Sequence, residues 1–369
     1  MKDVVADPVN PFSGRRIDEV SKPKQEQLLL YSFEWDVNVN CGTQFIAGDW
    51  YTVNGDIWNK NAWHSVANCR ALNGGNNLYK VDNAVIMAAG TSSRFAPLSY
   101  ETHKSLLTVR GEVLIERQIR QIKDAGIDSV VLVGGYMKER FAYLREKFGV
   151  TIIDNPEYTC RNNHSSIYAA RHLLGNSYIC SSDNYFSRNP FESCVDDAYY
   201  AALYADGPTP EWCVYEGDDG YIDRVSVGGE NAWYMMGHVF WSEPFSRKFV
   251  EILEGEYDTP EIRDKLWEAV YAAHLDELKL RIRRYDAHDI FEFDSLDELR
   301  GFDASYIDDT RSQIIRQLAA RLGCGEAALT DFHARKACGS TQAVGFTFRY
   351  QNETYQYDYK NKEMEKING

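Results

Sequence analysis

The 369-residue chain lacks several features that would place it in a common class of protein. Its formal net charge is −15, so it has no excess of the basic residues that a nucleic-acid-binding face requires. No apolar run is long enough to cross a membrane, and the N-terminus has no apolar core typical of a signal peptide. The 8 cysteines include no CxxC pair, which argues against a zinc ribbon or a thioredoxin-like site. We therefore expect a cytoplasmic protein with free thiols and no nucleic-acid partner.

The most informative stretch, residues 85–94, joins an apolar run to small and hydroxyl residues and then to a cation, VIMAAGTSSR. This pattern predicts a buried strand that opens into a loop binding phosphate through its backbone N–H groups. The loop residues are Ala88, Ala89, Gly90, Thr91, Ser92 and Ser93. Because Gly90 has no Cβ, an anion can approach its backbone closely. Arg94 and Lys104 would neutralise a triphosphate and the charge that develops as it is cleaved; a tight turn with solvated cations is the alternative.

From Val81 onward, strand patterns alternate with amphipathic helix patterns. Strands are predicted at 83–88, 129–133, 150–154 and 177–181, with helices at 114–125, 138–148 and 165–174. The alternation predicts an α/β, Rossmann-like fold with a mostly parallel sheet and helices on both faces. Ligands of such sheets bind beyond the carboxyl ends of the strands, where Gly90, Gly134 and Asp183 fall.

Two acidic residues that follow predicted strands are candidate ligands for a divalent cation. Asp183 comes after the small residues at the end of strand 177–181, and Asp294 ends an alternating stretch that begins at Ile290. Magnesium prefers one or two carboxylates together with phosphate oxygens and water. Each residue has a plainer alternative: Asp183 as a turn former, and Asp294 as the N-cap of a following helix.

These residues resemble the signature of nucleotidyltransferases of the sugar-phosphate and phosphocholine type, among them the bacterial phosphocholine cytidylyltransferases. The stretch AAGTSSRFAPLS, followed by HKSLL and LIERQI, carries the resemblance, and Ser92 stands where the family has a second glycine. The resemblance covers residues 81–303 and implies the nucleotidyltransferase fold, with Mg²⁺ held by Asp183 and Asp294. It also implies transfer of CMP from CTP to phosphocholine or a close phospho-aminoalcohol, with release of pyrophosphate.

The resemblance further implies residues that bind the acceptor and the nucleotide. Trp212 lies in a Glu-Trp-x-x-Tyr segment in which the family's tryptophan helps to form a cage for the quaternary ammonium. An aromatic face attracts such a cation without hydrogen-bond donors. Tyr185 and Trp267 are further acceptor candidates, although Leu266 is the better match to the second cage aromatic, and an incomplete cage leaves a primary amine open. Asn163 lies in a segment that resembles the loop capping the nucleotide; a helix N-cap is the alternative.

Outside this region the sequence predicts two extensions. Residues 1–80 form a small aromatic-rich segment of unknown role, with a hairpin predicted at Asn54-Gly55. Residues 304–369 are expected to form a helix and a hairpin around Gln351-Asn352. Through residues 339–342 this segment loosely resembles the start of choline-kinase-like phosphotransferases, whose catalytic acids would lie beyond residue 369. We therefore expect a kinase-like remnant or a docking hairpin there.

Several rival functions stay open or are disfavoured. The alternative acceptors are 2-aminoethylphosphonate, phosphoethanolamine and a sugar 1-phosphate. A catalytically inactive nucleotide-binding scaffold is disfavoured because the candidate cations and acids are all present. A dinucleotide-dependent oxidoreductase is disfavoured because no GxGxxG follows the first strand. The oligomeric state, including a homo-oligomer, is left open.

Overall fold

The computed structural model describes the backbone of residues 43–46, 50–53 and 56–59 and, with side chains, residues 78–337 and 343–367. The kinase-like segment 339–342 and the turn residues Asn54 and Gly55 lie outside the described residues. Cys194 forms a disulfide, so the expectation of free thiols does not hold for that residue. Cys160, Cys180, Cys213 and Cys324 are free.

The elements follow one another in chain order. The strands are β1 (Thr43–Ile46), β2 (Trp50–Val53), β3 (Asp56–Asn59), β4 (Tyr79–Lys80), β5 (Asn83–Ala88), β6 (Thr108–Val109), β7 (Glu112–Val113), β8 (Val130–Gly134), β9 (Thr151–Asp154), β10 (Ser177–Ser181), β11 (Tyr185–Phe186), β12 (Cys194–Val195), β13 (Tyr199–Glu216), β14 (Ile222–Trp241), β15 (Arg281–Arg284), β16 (Ile290–Phe291), β17 (Leu329–Lys336), β18 (Ala343–Tyr350), β19 (Glu353–Asp358) and β20 (Met364–Ile367). The α-helices are α1 (Leu98–Glu101), α2 (Leu114–Asp124), α3 (Tyr143–Phe148), α4 (His164–Ala170), α5 (Glu243–Glu256), α6 (Trp267–Ala273), α7 (Leu296–Phe302), α8 (Ser305–Asp308) and α9 (Gln313–Leu322). Short 3₁₀ helices span Ser93–Phe95, Lys104–Leu106, Lys138–Phe141, Arg171–Leu173 and Glu326–Ala328.

The chain divides into two compact units, the first of which contains residues 1–80 and 193–196. In this unit β1, β2 and β3 form an antiparallel sheet in that order. Val53 of β2 pairs with Asp56 of β3, as the Asn54-Gly55 pattern predicts for a hairpin. In the same unit β4 pairs with β12.

The second unit is built on a central sheet with the strand order β15-β13-β14-β10-β5-β8-β9. Strands β10, β5, β8 and β9 run parallel, β13 and β15 pair in parallel, and β14 is antiparallel to both of its neighbours. Strand β5 is almost entirely buried, as expected for a parallel strand covered by helices on both faces. The predicted α/β fold with a mostly parallel sheet is confirmed, and the predicted strands 83–88 and 177–181 coincide with β5 and β10.

The sequence did not predict the long antiparallel hairpin of β13 and β14, 18 and 20 residues in length. The pairing of β13 with β14 shifts register at several bulges. These bulges interrupt the alternation of buried and exposed side chains by which a strand is recognised in a sequence. The hairpin places Trp212 on β13 opposite Val227.

The segment after residue 303 is larger than the predicted helix and hairpin. The hairpin turns at Gln351 and Asn352 between β18 and β19, as predicted, but β17 and β20 extend it to a sheet with the order β17-β18-β19-β20. This sheet and helices α7 to α9 share a core with the segment that follows β5. We call it the C-terminal core; its buried members are Phe95, Ala96, Leu98, Leu107, Val109, Leu114, Tyr185, Phe293, Leu296, Leu299, Tyr306, Ile315, Leu318, Ala319, Leu329, Phe332, Phe346, Phe348, Tyr357 and Tyr359. Over the residues that the structure describes, no helix has both the length and the apolar character needed to cross a membrane.

We expect Gly135, directly after β8, to accept no side chain. A Cβ at Gly135 would lie 2.9 Å from the backbone oxygen of Ala89 and 2.7 Å from Cγ of Tyr158. Because neither neighbour is a flexible chain end, Gly135→Ala should lower the free energy of unfolding by about 1–3 kcal/mol. Urea unfolding measures this, and Gly90→Ala is the matched control, since a Cβ there meets no described atom within 4 Å. Equal free energies of unfolding for the two variants would contradict this packing.

Candidate active site

The loop after β5 has the form that its sequence predicts. Ala88 ends the buried strand and is itself 1% exposed, and the chain then turns through Gly90 to the 3₁₀ turn Ser93–Phe95. Ser92 adopts φ 46° and ψ 41°, the left-handed region that glycine enters freely. A serine in this conformation costs about 1 kcal/mol, so surrounding contacts must hold the loop.

This loop forms one wall of a cleft of about 690 Å³, a volume within the range of small-molecule sites. The predicted nucleotide and metal residues that line the cleft are Ala89, Gly90, Thr91, Ser92, Asn163 and Asp183. Ala88 is buried at the end of β5, and Ser93 lines a separate, smaller cavity. A Cβ at Gly90 would extend into open space, so the glycine leaves room beside the loop backbone for an anion.

The centre of the site is the ammonium of Lys104, whose side chain is 3% exposed. Its Nζ lies 2.8 Å from Oδ2 of Asp183, 3.7 Å from Oδ1 of Asp294 and 3.9 Å from Oε1 of Glu292. The structure therefore brings together Lys104, Asp183 and Asp294, as the sequence predicts, and adds Glu292. The alternation of Ile290, Glu292 and Asp294 was the signal that could have identified Glu292.

The charged side chains of this group shift one another's pKa values. Burial alone would lower the pKa of Lys104, but the carboxylates, Asp183 foremost, raise it above its usual value. Burial would raise the pKa of Asp183, but the charge and hydrogen bond of Lys104 hold it below its usual value. The Asp183 charge, together with burial, raises the pKa of Glu292 to about 7. Three carboxylates thus face two cations, Lys104 and Arg94, so the group carries at most one negative charge in excess, and this excess favours a further cation.

Asp294 is available for this group because another residue caps the helix. Ser295 is the N-cap of α7, and its hydroxyl oxygen accepts a hydrogen bond from the Glu298 N–H at 3.2 Å. Asp294 instead forms an ion pair with Arg94, whose Nη1 lies 2.6 Å from Oδ2 of Asp294. The geometry favours the site over the capping alternative, and it places Arg94 at the edge of the same acidic group.

Whether this group could hold a metal is decided by its donor set. Among the described residues, no three histidine, cysteine, aspartate or glutamate side chains are arranged to hold a metal ion unaided. Asp183 and Asp294 nevertheless approach a single positive charge. Two carboxylates beside a loop that is predicted to bind phosphate fit Mg²⁺, because this ion takes its remaining ligands from phosphate and water.

Two further polar residues of the cleft were missed from the sequence. His103 lies under the loop, where its Nδ1 accepts the Ser105 N–H at 3.2 Å, and burial lowers its pKa to about 4, so the ring is neutral near pH 7. Asn155 follows β9 and donates to the hydroxyls of Ser165 and Ser166 at 2.9 and 3.1 Å. Both line the cleft. The rule that ligands collect at the carboxyl ends of parallel strands could have found Asn155.

Asn163 lines the cleft, but its side chain is engaged with α6. Its oxygen accepts the N–H of Trp267 at 2.7 Å, and its nitrogen donates to Glu268 at 3.2 Å. Glu268 also accepts the hydroxyl of Tyr200 at 3.2 Å. Burial raises the pKa of Glu268 to about 7. Asn163 therefore fixes the start of α6 at the edge of the cleft.

The structure places the three acceptor candidates differently. Trp212 is half-buried on the long hairpin. Trp267 is 1% exposed and stacks on Tyr200 with 5.5 Å between ring centroids, so it belongs to the core of the central sheet. Tyr185 is buried in the C-terminal core, with the guanidinium of Arg117 4.6 Å from its ring centroid. None of the three candidates, Trp212 included, lines the cleft. Trp267 and Tyr185 pack cores instead, as large aromatic side chains often do.

Comparison with known proteins gives consistent matches. The MobA-like NTP transferase domain family matches residues 84–210. Choline-phosphate cytidylyltransferase of Streptococcus pneumoniae is 33% identical over 217 residues, covering 59% of this chain and 95% of that protein. 2-Aminoethylphosphonate cytidylyltransferase of Lancefieldella rimae is 36% identical over 234 residues, covering 61% of this chain and 93% of that protein. The solved structure of CTP:phosphocholine cytidylyltransferase from S. pneumoniae matches with a TM-score of 0.59 at 32% identity, covering 61% of this chain and 99% of that one.

The Glu268 carboxyl should make stability depend on pH. Its pKa lies at about 7 in the folded chain against an ordinary value of 4.5, so the folded state keeps a proton that the unfolded state has lost. Its contribution to the free energy of unfolding therefore falls as pH rises from 4.5 to 7. Glu268→Gln should be more stable than wild type by about 1–3 kcal/mol at pH 8 and equal to it near pH 4.

Urea unfolding at several pH values measures this difference, with the exposed Glu230→Gln as the control. A difference between Glu268→Gln and wild type that does not change with pH would contradict a buried, proton-holding carboxyl.

Proposed function

The chain belongs to the family of cytidylyltransferases that includes the choline-phosphate and 2-aminoethylphosphonate enzymes, and we propose that it transfers CMP from CTP to a small phosphorylated amine. Pyrophosphate and a CDP-linked product would be formed. The observation that carries the proposal is the buried Lys104 ammonium, which joins Asp183 and Asp294 at a cleft walled by a phosphate-binding loop.

The proposed reaction needs positioning and charge neutralisation more than acid–base chemistry. A phosphate oxygen of the acceptor attacks the α-phosphorus of CTP in line, and the bond from that phosphorus to the bridging oxygen of pyrophosphate breaks. No general base is required, since a phosphate monoester is already a nucleophilic anion. The backbone N–H groups of residues 89–92, which line the cleft, cradle the triphosphate, while Lys104 and Arg94 neutralise the charge on its α- and β-phosphates.

In this proposal Asp183 and Asp294 would hold Mg²⁺ when the triphosphate binds. The bound ion would supply positive charge that offsets the negative charge of the triphosphate. Carboxylate ligands favour a hard cation of this kind. The surplus negative charge that raises the pKa of Glu292 to about 7 supports the presence of a further cation beside Lys104.

For the acceptor we propose phosphocholine, with Trp212 as the aromatic contact of its ammonium. The surroundings are acidic as well as aromatic: burial, followed by the charges of Glu211 and Glu292, raises the pKa of Tyr234 on the neighbouring strand. Such a setting attracts an organic cation. CTP and phosphorylated aminoalcohols are cytoplasmic metabolites, so the cytoplasm is the proposed compartment.

A second candidate acceptor is 2-aminoethylphosphonate. It is favoured by the relative at 36% identity and by the burial of Trp267, which leaves Trp212 without that second aromatic partner. Carboxylates such as Glu211 and Glu292 can accept hydrogen bonds from a primary ammonium, whereas a trimethylammonium has no hydrogen to donate. The same residues therefore suit either headgroup.

Asp183→Asn should reduce kcat by at least about 10³-fold while the chain stays folded, because it removes the charge that pairs with Lys104 and binds the metal. A pyrophosphate-release assay with CTP and Mg²⁺ measures the loss. The matched control is Glu116→Gln, which breaks another carboxylate–lysine pair, with Lys147 Nζ 2.7 Å from Glu116. Near-wild-type rates for Asp183→Asn would show that the metal assignment is wrong.

The acceptor is identified with the same assay over a panel. Phosphocholine, 2-aminoethylphosphonate, phosphoethanolamine and glucose 1-phosphate are each supplied with CTP, UTP, ATP or GTP. We expect turnover with CTP and an amine-bearing acceptor, and a decrease in kcat/KM of roughly tenfold for that acceptor in Trp212→Ala. Preferential use of glucose 1-phosphate would contradict the proposed acceptor class.

A further inference from the structure

The phosphate-binding loop is anchored from its outer side by the segment that follows the transferase-like region. Phe95, next to Arg94, is 1% exposed and packs in the C-terminal core with Phe332 and Phe346. Strand β17 packs directly against the 3₁₀ turn Ser93–Phe95. The anchor faces inward while the side chain of the adjacent Arg94 is 73% exposed and reaches Asp294.

A second contact joins the C-terminal sheet to the segment that follows the loop. Tyr359, just after β19, stacks on Tyr100 of α1 with 3.8 Å between ring centroids and an interplanar angle of 7°. These two rings line a cavity of about 130 Å³ whose other walls include Thr91 and Ser93 of the loop. The C-terminal sheet therefore forms part of the outer wall of the phosphate-binding loop.

A third contact fixes α1 to helix α9. The carboxylate of Glu101 accepts the N–H of Gln313 at 3.0 Å and of Ile314 at 3.3 Å, and also the hydroxyl of Ser312. A carboxylate at a helix N-terminus satisfies free N–H groups and complements the helix dipole. The start of α9 is thus tied to the residues that follow the loop.

The loop needs such support. Ser92 is in a left-handed conformation, which persists only where neighbouring structure enforces it. Arg94 is largely exposed, so an unsupported loop would let its guanidinium sample many positions. Phosphoryl transfer depends on positioning, and a displacement of about 1 Å can reduce the rate by roughly 10²-fold.

We infer that the C-terminal sheet is a positioning element of the nucleotide site, acting through Phe95 and the Tyr100–Tyr359 stack to direct Arg94 toward Asp294 and the triphosphate. The sheet lies beyond residues 84–210, which match the transferase family. The inference rests on the proposed function, because it assigns the sheet a part in CTP turnover.

The test is a double-mutant cycle in the full chain between Tyr359→Ala and Arg94→Ala, read as kcat/KM for CTP. Tyr359→Ala should lower kcat/KM by about 10- to 100-fold in wild type but by less than about twofold once Arg94 is absent, because both changes remove the same interaction. Tyr359→Phe should stay within about twofold of wild type, since the hydroxyl of Tyr359 has no hydrogen-bond partner among the described residues.

The matched control is Tyr355→Ala in the same sheet, where Tyr355 stacks on Phe348 and not on α1. It should change kcat/KM by less than about twofold in either background. Urea unfolding establishes that each variant is folded. If Tyr359→Ala does not fold, Tyr100→Ala takes its place in the cycle, because Tyr100 is 46% exposed.

The possible outcomes distinguish a failure of the positioning role from a failure of the proposed function. Equal losses of kcat/KM in both backgrounds, or a loss of stability with kcat/KM unchanged, would overturn the positioning role. A wild-type chain that turns over no CTP with any acceptor would instead overturn the proposed function.

Discussion

A buried lysine ammonium surrounded by three carboxylates holds this site together. Lys104 can keep its charge because Asp183, Glu292 and Asp294 all lie within 4 Å of it. The acids come from two places in the chain, the end of β10 and the segment after β16. The pairing of β11 with β16 sets these two places side by side. Removal of a partner would leave a buried charge uncompensated, so the arrangement of the loop, the strand end and the acidic segment is interdependent.

The surplus of carboxylates also supports the proposed binding of a divalent cation. One ammonium and the exposed Arg94 do not balance three acids near a triphosphate, and a divalent ion carried with the nucleotide would restore the balance. Residues 89–92 of the loop line the cleft together with Asp183. The loop is held from below by β5 and Gly135, and from outside by the C-terminal core. A strained serine at position 92 can therefore be kept in place.

The sequence predicted the parts of the site that follow from strand periodicity and from a continuous motif. Lys104, Asp183 and Asp294, which the sequence predicts as site residues, lie close together in the structure, and β5 and β10 begin and end at the residues that their patterns indicate. Glu292 was missed because one acid in a short alternating stretch is indistinguishable from a solvated strand residue. Trp267 was placed at the acceptor although it lies in the core, since sequence alone does not tell a buried aromatic from a ligand-binding one. The long hairpin is not predicted because its bulges break the alternation of buried and exposed side chains. The contact of Tyr359 with Tyr100 is not predicted because it joins residues far apart in the chain.

The most direct test of the account is a crystal structure of the chain with CTP and Mn²⁺, in which anomalous scattering locates the metal. The account predicts one Mn²⁺ ligated by carboxylate oxygens of Asp183 and Asp294 and by phosphate oxygens of CTP. It also predicts that Nζ of Lys104 lies within hydrogen-bond distance of the triphosphate. A metal bound away from both aspartates, or a triphosphate that does not contact the loop at Gly90, would contradict it.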